Sequence, residues 1–192
     1  MIRIAICGNI ASGKTVVQKF LEQMGYKVFD TDEAAHRLLS VNNKPLYDAF
    51  KSYDVFENGE FSREKVGKLV FSNLNLKQKL ESIIHPQIVD EIKKFYETNK
   101  SEAFLFVAIP LLFEAKMEFL FDKIAFVYAD DEIRLSRLLK RNNFSLEYAK
   151  ARINSQMPQD EKIKKSDYVI NNNGDLNNLK IQVDKFLSGI IF

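Results

Sequence analysis

Short apolar runs alternate along this chain with longer stretches of helical spacing. Ile2 to Cys7 (IRIAIC), Tyr26 to Phe29 (YKVF), Ala103 to Ile109 (AFLFVAI), Lys123 to Tyr128 (KIAFVY) and Tyr168 to Ile170 (YVI) are compact and rich in β-branched or aromatic residues. Runs of this kind read as strands buried on both faces. Between them, apolar residues recur every three to four positions. Val16, Val17, Phe20, Leu21 and Met24 do so up to Gly25, a natural helix stop, and Leu176, Leu179, Ile181, Val183, Phe186 and Leu187 do so near the C-terminus. Strands separated by helical patterns predict an α/β fold, a five-stranded parallel sheet flanked by helices.

One connection breaks the rhythm. Asp32 to Glu102 covers about seventy residues, where a whole strand–helix–strand unit needs only about 30. It holds helix-like pieces at Glu33–Leu39, Pro45–Tyr53, Arg63–Phe71, Leu76–Ile84 and Pro86–Tyr96. The pattern therefore predicts a core of residues 1–32 and 103–192, with a helical insertion at 33–102. Such an insertion beside the carboxyl edge of the sheet is a good place for a substrate subdomain, because ligands of open α/β sheets bind at that edge.

Composition narrows the class. The 192 residues, 46% hydrophobic and 28% charged, suit one globular domain with a small insertion. The net charge is +2 with no dense basic tract, which argues against nucleic acid as the main partner. A single cysteine, Cys7, excludes an internal disulfide framework and a Cys-based zinc site, and reads as a small buried core residue. The first apolar run is too short for a secretory signal and breaks at the glycines. No stretch approaches the ~20 apolar residues of a membrane span, so the cytoplasm is the expected location.

The chemistry begins at Gly8-Asn9-Ile10-Ala11-Ser12-Gly13-Lys14-Thr15, a complete phosphate-binding loop between a predicted strand and a predicted helix that opens with Val16. In that setting backbone N–H groups and the positive end of the helix dipole face an anion. Lys14 reaches the terminal phosphates, and the Thr15 hydroxyl can ligate Mg²⁺. Asp30 and Asp32 follow the second strand and face the same crevice. Asp32 is the candidate to orient or deprotonate an attacking hydroxyl, its alternative being a helix N-cap; Asp30 reads as a supporting or capping residue.

Arg134, Arg137 and Arg141 share one helix face, with Lys140 flanking them and Arg152 on the next helix. Either they clamp phosphate oxygens, or they form a solvated face paired with Asp130, Asp131 and Glu132. His36 falls on the same helix face as Asp32. His85-Pro86 lies between two helical patterns, and His85 alone reads as a capping or structural histidine. Glu114, just past the third strand, stands either toward Mg²⁺ or substrate, or as a helix-start acid.

Together these residues resemble dephospho-coenzyme A kinase. The resemblance rests on GNIASGKT, Asp30-Thr31-Asp32 with Ala35-His36, Ile84-His85-Pro86, Pro110 to Glu114 (PLLFE), Arg137–Arg141, Arg152 to Gln156 (RINSQ), and Asp167 to Asn171 (DYVIN) through Gly174. It implies a P-loop kinase core, a helical CoA-binding subdomain, a mobile lid at about 137–160, and ATP-dependent phosphorylation of the ribose 3′-hydroxyl of dephospho-CoA. By position it implies Asp32 as proton acceptor, and Lys14 and Thr15 on the phosphates and Mg²⁺. Arg137 and Arg141 would be the lid clamp, and Asn171, Asn173 and Gly174 would lie near the adenine. His36, His85 and Glu114 would belong to the acceptor side. The expected partners are ATP and dephospho-CoA, with no nucleic acid, no membrane, and a monomer or weak homo-oligomer. Three departures stand out: Asn9 and Ala11 replace common glycines, and His36 replaces a common arginine. Two rivals are a P-loop kinase for another metabolite, such as a nucleoside monophosphate, and a regulatory GTPase. The second needs Asn-Lys-x-Asp, and Asn99-Lys100-Ser101-Glu102 ends in the wrong acid.

Overall fold

The structure, a computed structural model, describes residues 1–142 and 144–191. In chain order the elements begin β1 (Ile2–Cys7), α1 (Lys14–Gln23), β2 (Lys27–Asp30), α2 (Thr31–Leu38), α3 (Lys44–Phe50), β3 (Phe56–Glu57) and β4 (Glu60–Phe61). They continue α4 (Arg63–Ser72), α5 (Leu74–Thr98), β5 (Phe104–Ala108), β6 (Lys123–Tyr128) and α6 (Asp131–Asn142). The chain closes with α7 (Leu146–Asn154), α8 (Gln159–Lys164), β7 (Tyr168–Asn171) and α9 (Leu176–Ile191). These elements form two compact units, Met1–Asp30 with Asn99–Phe192, and Thr31–Thr98.

The first unit is built on a five-stranded sheet of order β2-β5-β1-β6-β7. Every neighbouring pair is parallel, with Ile4 opposite Phe106 and Ile6 opposite Ala125. All five strands expected from the apolar runs are present, so the α/β reading with a parallel sheet holds. β1 and β6 keep the expected bounds, β2 slides one residue to take in Asp30, and β7 gains Asn171. Because successive side chains in a strand point to opposite faces, Ile4 and Ile6 look one way and Ala5 and Cys7 the other. On the first face α1 and α9 pack down, burying Val17, Leu21, Leu179, Val183 and Phe186 against the sheet. α8 lies against β6. Cys7 is 1% exposed, the small core residue expected.

The parallel connections bring the C-terminal ends of all five strands to one edge, and β1 lies at its centre. The residues after β1 therefore lie between the β5 and β6 ends, where strand order reverses and ligand crevices form.

In the second unit α2, α3 and α4 each pack against α5. Here the structure corrects two expectations. The pieces 76–84 and 86–96 are one helix of 25 residues, with Pro86 inside it. Proline removes one backbone bond and disfavours the helical region for the residue before it, hence the break expected at His85-Pro86. The buried stripe Ile84, Ile88, Ile92 and Tyr96 keeps its four-residue step across Pro86, and packing holds the helix together. The second correction is a hairpin. β3 and β4 pair antiparallel through Phe56 and Phe61, their rings 4.6 Å apart, where the apolar pattern predicted no strand. Its turn is Asn58-Gly59, both with positive φ (50° and 83°), as a two-residue type I′ turn requires.

Among the described residues no helix is long and apolar enough to cross a membrane.

Candidate active site

The loop from Gly8 to Thr15 leaves the C-terminal end of β1 and enters α1. Gly13 is the residue before the first helical turn, at φ 101°, and its carbonyl accepts from the N–H of Val16 at 2.9 Å. A Cβ at Gly13 would collide with the Asn172 amide nitrogen. At Gly8 a Cβ would lie 2.5 Å from Ser12 Oγ and 2.8 Å from the Val127 carbonyl oxygen. Both glycines are thus demanded by close approach, and Gly13 also by its left-handed backbone. Ala11 is left-handed too (φ 62°), although it carries a Cβ. Asn9, Ser12 and Lys14 are buried, while Thr15, at the mouth of the helix, is exposed.

What holds the loop lies outside it. The Asn172 side-chain amide donates to the Ser12 carbonyl at 2.7 Å, and its backbone N–H donates to the Tyr128 carbonyl at 2.8 Å. Arg137 Nη2 donates to the Asn172 carbonyl at 2.9 Å, and Nη1 reaches the Ser12 carbonyl at 3.4 Å. Arg134 Nη2 donates to Asp131 Oδ1 at 2.7 Å, and Nη1 reaches the Ile10 carbonyl at 3.4 Å. Arg134 is only 2% exposed. The solvated-face alternative therefore fails for it: the residue pairs with the exposed Asp131, but its own side chain is buried against the loop. Arg141 is exposed near the helix end.

From the other side, Ile10 N–H donates to Gln156 Oε1 at 2.7 Å, and Asn9 Nδ2 donates to the Met157 carbonyl at 3.0 Å. Met157 N–H in turn donates to Glu114 Oε1 at 3.1 Å. Lys162, fully buried, places Nζ 2.7 Å from that same oxygen, an ion pair by distance but not aligned as a hydrogen bond. Glu114 is therefore tied to residues 157 and 162. No helix begins at it, since residues 110–116 form turns before a short 3₁₀ turn at Glu118–Leu120; its helix-start alternative fails.

Asn171 and Asn173 build the turn after β7. Asn171 Oδ1 accepts from Asn173 N–H at 3.0 Å, and Asn173 Oδ1 accepts from Asp130 N–H at 2.8 Å. They stitch the β6 and β7 ends together, with exposed Gly174 following.

In the second unit, α2 begins at Thr31, so Asp32 sits within its first turn rather than at an N-cap. Asp32 and His36 are exposed and one turn apart, while Ala34 is buried. Arg37 Nη2 pairs with Glu91 Oε2 at 2.8 Å, and Asn43 Nδ2 donates to Gln87 Oε1 at 2.8 Å; both bonds tie this part of the chain to α5. His85 lies half-buried within α5. Burial pushes its imidazole below the usual 6.5, opposed by nearby Glu81 and assisted by Lys77.

Residues 2–178 match the sequence profile of the dephospho-CoA kinase family. The chain belongs to that family. A dephospho-CoA kinase from Carboxydothermus hydrogenoformans is 40% identical over 186 residues, covering 94% of this chain and 90% of its own. One from Listeria innocua is 37% identical, covering 98% and 96%. The solved dephospho-CoA kinase from Campylobacter jejuni superposes with a TM-score of 0.71 at 30% identity, over 98% of this chain and 96% of its own. A shikimate kinase from Acinetobacter baumannii, at 15% identity and a TM-score of 0.61, shares the fold over the whole of this chain and 93% of its own. Family membership favours a kinase over a GTPase switch, and dephospho-CoA over a nucleoside monophosphate as the acceptor.

Sequence reasoning missed Asn172, the closest neighbour of the loop, although it sits between two residues singled out. Its signal was the Asn171-Asn172-Asn173 run. Gln156 was visible only as the last residue of RINSQ. Lys162 carried no signal, because nothing marks a lysine inside Asp160-Glu161-Lys162 as buried. Residue 143 of the expected lid lies outside the described residues.

Proposed function

We propose that this chain transfers the γ-phosphoryl group of ATP to the ribose 3′-hydroxyl of dephospho-CoA, the last step of coenzyme A synthesis. The observation that carries the reading is the braced loop Gly8–Thr15 at the central strand end, with its two demanded glycines and Lys14 at the start of α1. A loop of that shape turns backbone N–H groups and a helix N-terminus toward a polyphosphate. Kinase membership supplies ATP as the donor.

In this reading Gly8–Val16 hold the triphosphate and Lys14 neutralises charge on the transferring group. The exposed Thr15 hydroxyl, a hard oxygen donor, suits Mg²⁺, which is held largely through phosphate oxygens. When bound, that ion polarises the phosphoryl oxygens. Arg137, already on the Ser12 and Asn172 carbonyls, keeps the loop in place and presents its remaining N–H groups beside it, while Arg141 joins the clamp. Asn171, Asn173 and Gly174 line the adenine end, and 137–160 act as the lid.

The unit Thr31–Thr98 takes the acceptor. Asp32, two residues past the end of β2, receives the hydroxyl proton. His36 and His85 serve acceptor groups, and Glu114 contributes while its Oε1 is tied to Met157 and Lys162. The cytoplasm is the proposed location, in keeping with a single buried cysteine.

The test is phosphoryl transfer with dephospho-CoA set beside AMP, CMP and shikimate, read by mass for a 3′-phosphate. Transfer to dephospho-CoA alone is expected. In the same assay Asp32→Asn should cut kcat by about 10² with ATP affinity retained; near-normal turnover removes Asp32 from the mechanism.

A further inference from the structure

Ala11 is the one residue of the phosphate loop that is both left-handed and not glycine (φ 62°). An L residue there crowds its Cβ against the backbone, and the conformation persists only where surrounding contacts over-determine it. The Ile10 N–H, on the peptide preceding Ala11's neighbour, donates to Gln156 Oε1 at 2.7 Å. The Ile10 carbonyl, which belongs to the Ile10–Ala11 peptide, meets Arg134 Nη1 only at 3.4 Å. The Asn9 carbonyl, on the same peptide as the Ile10 N–H, accepts from Ser12 N–H at 3.0 Å and closes the turn Asn9–Ser12, with Ala11 at its third position, where positive φ falls. The Ser12 carbonyl accepts from Asn172 at 2.7 Å. On the Asn9–Ile10 peptide, Gln156 is therefore the partner from outside the loop, while the turn's own bond holds the other end.

Gln156 is itself held from behind. Its neighbour Met157 accepts from Asn9 Nδ2 at 3.0 Å and donates to Glu114 Oε1 at 3.1 Å, with the buried Lys162 ammonium 2.7 Å from that carboxylate oxygen. The segment between α7 and α8 is thus pinned at two successive residues to the loop and by a charged pair to the core. Its amide has no titration to offer and no nucleophile. What it offers is an acceptor at a fixed place.

We propose that Gln156 is a positioning residue of the phosphate loop: it fixes the Asn9–Ile10 peptide that opens the Asn9–Ser12 turn, and thereby holds that turn, with Ala11 left-handed inside it, in the shape that fits ATP. The proposal rests on the reading of Gly8–Thr15 as the ATP site. It makes a prediction that a merely structural link between α7, α8 and the core does not. The need for Gln156 must depend on the strain at Ala11, and glycine at that position, which adopts positive φ freely, must relieve it.

The experiment is a double-mutant cycle in the full chain with Gln156→Leu, Ala11→Gly and both together. ATP affinity is measured by calorimetry, KM and kcat with dephospho-CoA, and Tm by melting. Gln156→Leu is expected to raise the Kd and KM for ATP about tenfold, the effect of cutting the population of the binding-competent loop to about a tenth. The KM for dephospho-CoA should stay near that of the parent, while Tm falls by a few degrees in both backgrounds, the cost of one stranded donor. In the Ala11→Gly background the same substitution should cost ATP affinity no more than about twofold. Gln156→Ala carries the same cycle should the leucine variant fold poorly. Equal penalties on ATP affinity in the two backgrounds, or no such penalty in the parent, overturn the proposal. A parent chain that binds ATP and shows the cycle but leaves dephospho-CoA unmodified would instead overturn the acceptor reading alone.

Discussion

His85 shows how much of a residue's behaviour its surroundings decide. In the sequence it is one of two histidines; in the structure it is half-buried on a helix, where desolvation outweighs Glu81 and lowers its pKa below 6.5. A histidine with a depressed folded pKa binds fewer protons folded than unfolded, so its contribution is fully present above about 6.5 and is lost as pH falls toward the folded value. Stability should therefore decline as the pH drops below about 6.5, and His85→Gln should flatten that part of the profile. Urea midpoints at a series of pH values measure it; an unchanged slope in the variant would assign the decline to other groups. Arg134 makes the same point in reverse. Its spacing permitted a phosphate clamp or a solvated face, and burial of its side chain beside the Ile10 carbonyl removes the solvated face.

At the scale of elements, α5 sets local preference against packing. Pro86 costs an interior helix about 3 kcal/mol and returns under 1 kcal/mol by stiffening the unfolded chain. It is exposed, so its ring buries little. Pro86→Ala should accordingly raise the stability of the chain by about 1–2 kcal/mol in urea unfolding. A destabilised variant would mean that the proline ring is required where it stands. The short hairpin taught the opposite lesson. Asn58-Gly59 between Phe56 and Phe61 was a local signal in plain view, but two-residue strands carry too few positions for alternation to register. The sheet strands were legible because each carries a compact apolar run, although only the three inner strands are buried on both faces; the edge strands β2 and β7 stay partly exposed, with Val169 at 44%.

For the molecule as a whole, the central strand is deeply enclosed: Ile4, Ala5 and Ile6 are fully buried, and burial pushes the Cys7 thiol up to about 12. At neutral pH it is a protonated, enclosed thiol. A thiol reagent should label the native chain only at the rate of opening of the sheet core, rising to full labelling in denaturant, as timed mass spectrometry would record. Rapid native labelling would place Cys7 in a locally opening segment instead. The chain's own order of residues determined the strands of the sheet, the glycine loop at the end of the first, the family, and hence the chemistry to look for. These are local properties, set by periodicity and by adjacent residues. Only the tertiary structure decided that Asn172, Gln156 and the Glu114–Lys162 pair brace the loop from about 100 to 160 positions away in sequence. It also decided that Ala11 is held left-handed, and that α5 runs unbroken through Pro86. Those outcomes depend on contacts between residues far apart in the chain, and no pattern of neighbours encodes which distant donor will meet which carbonyl.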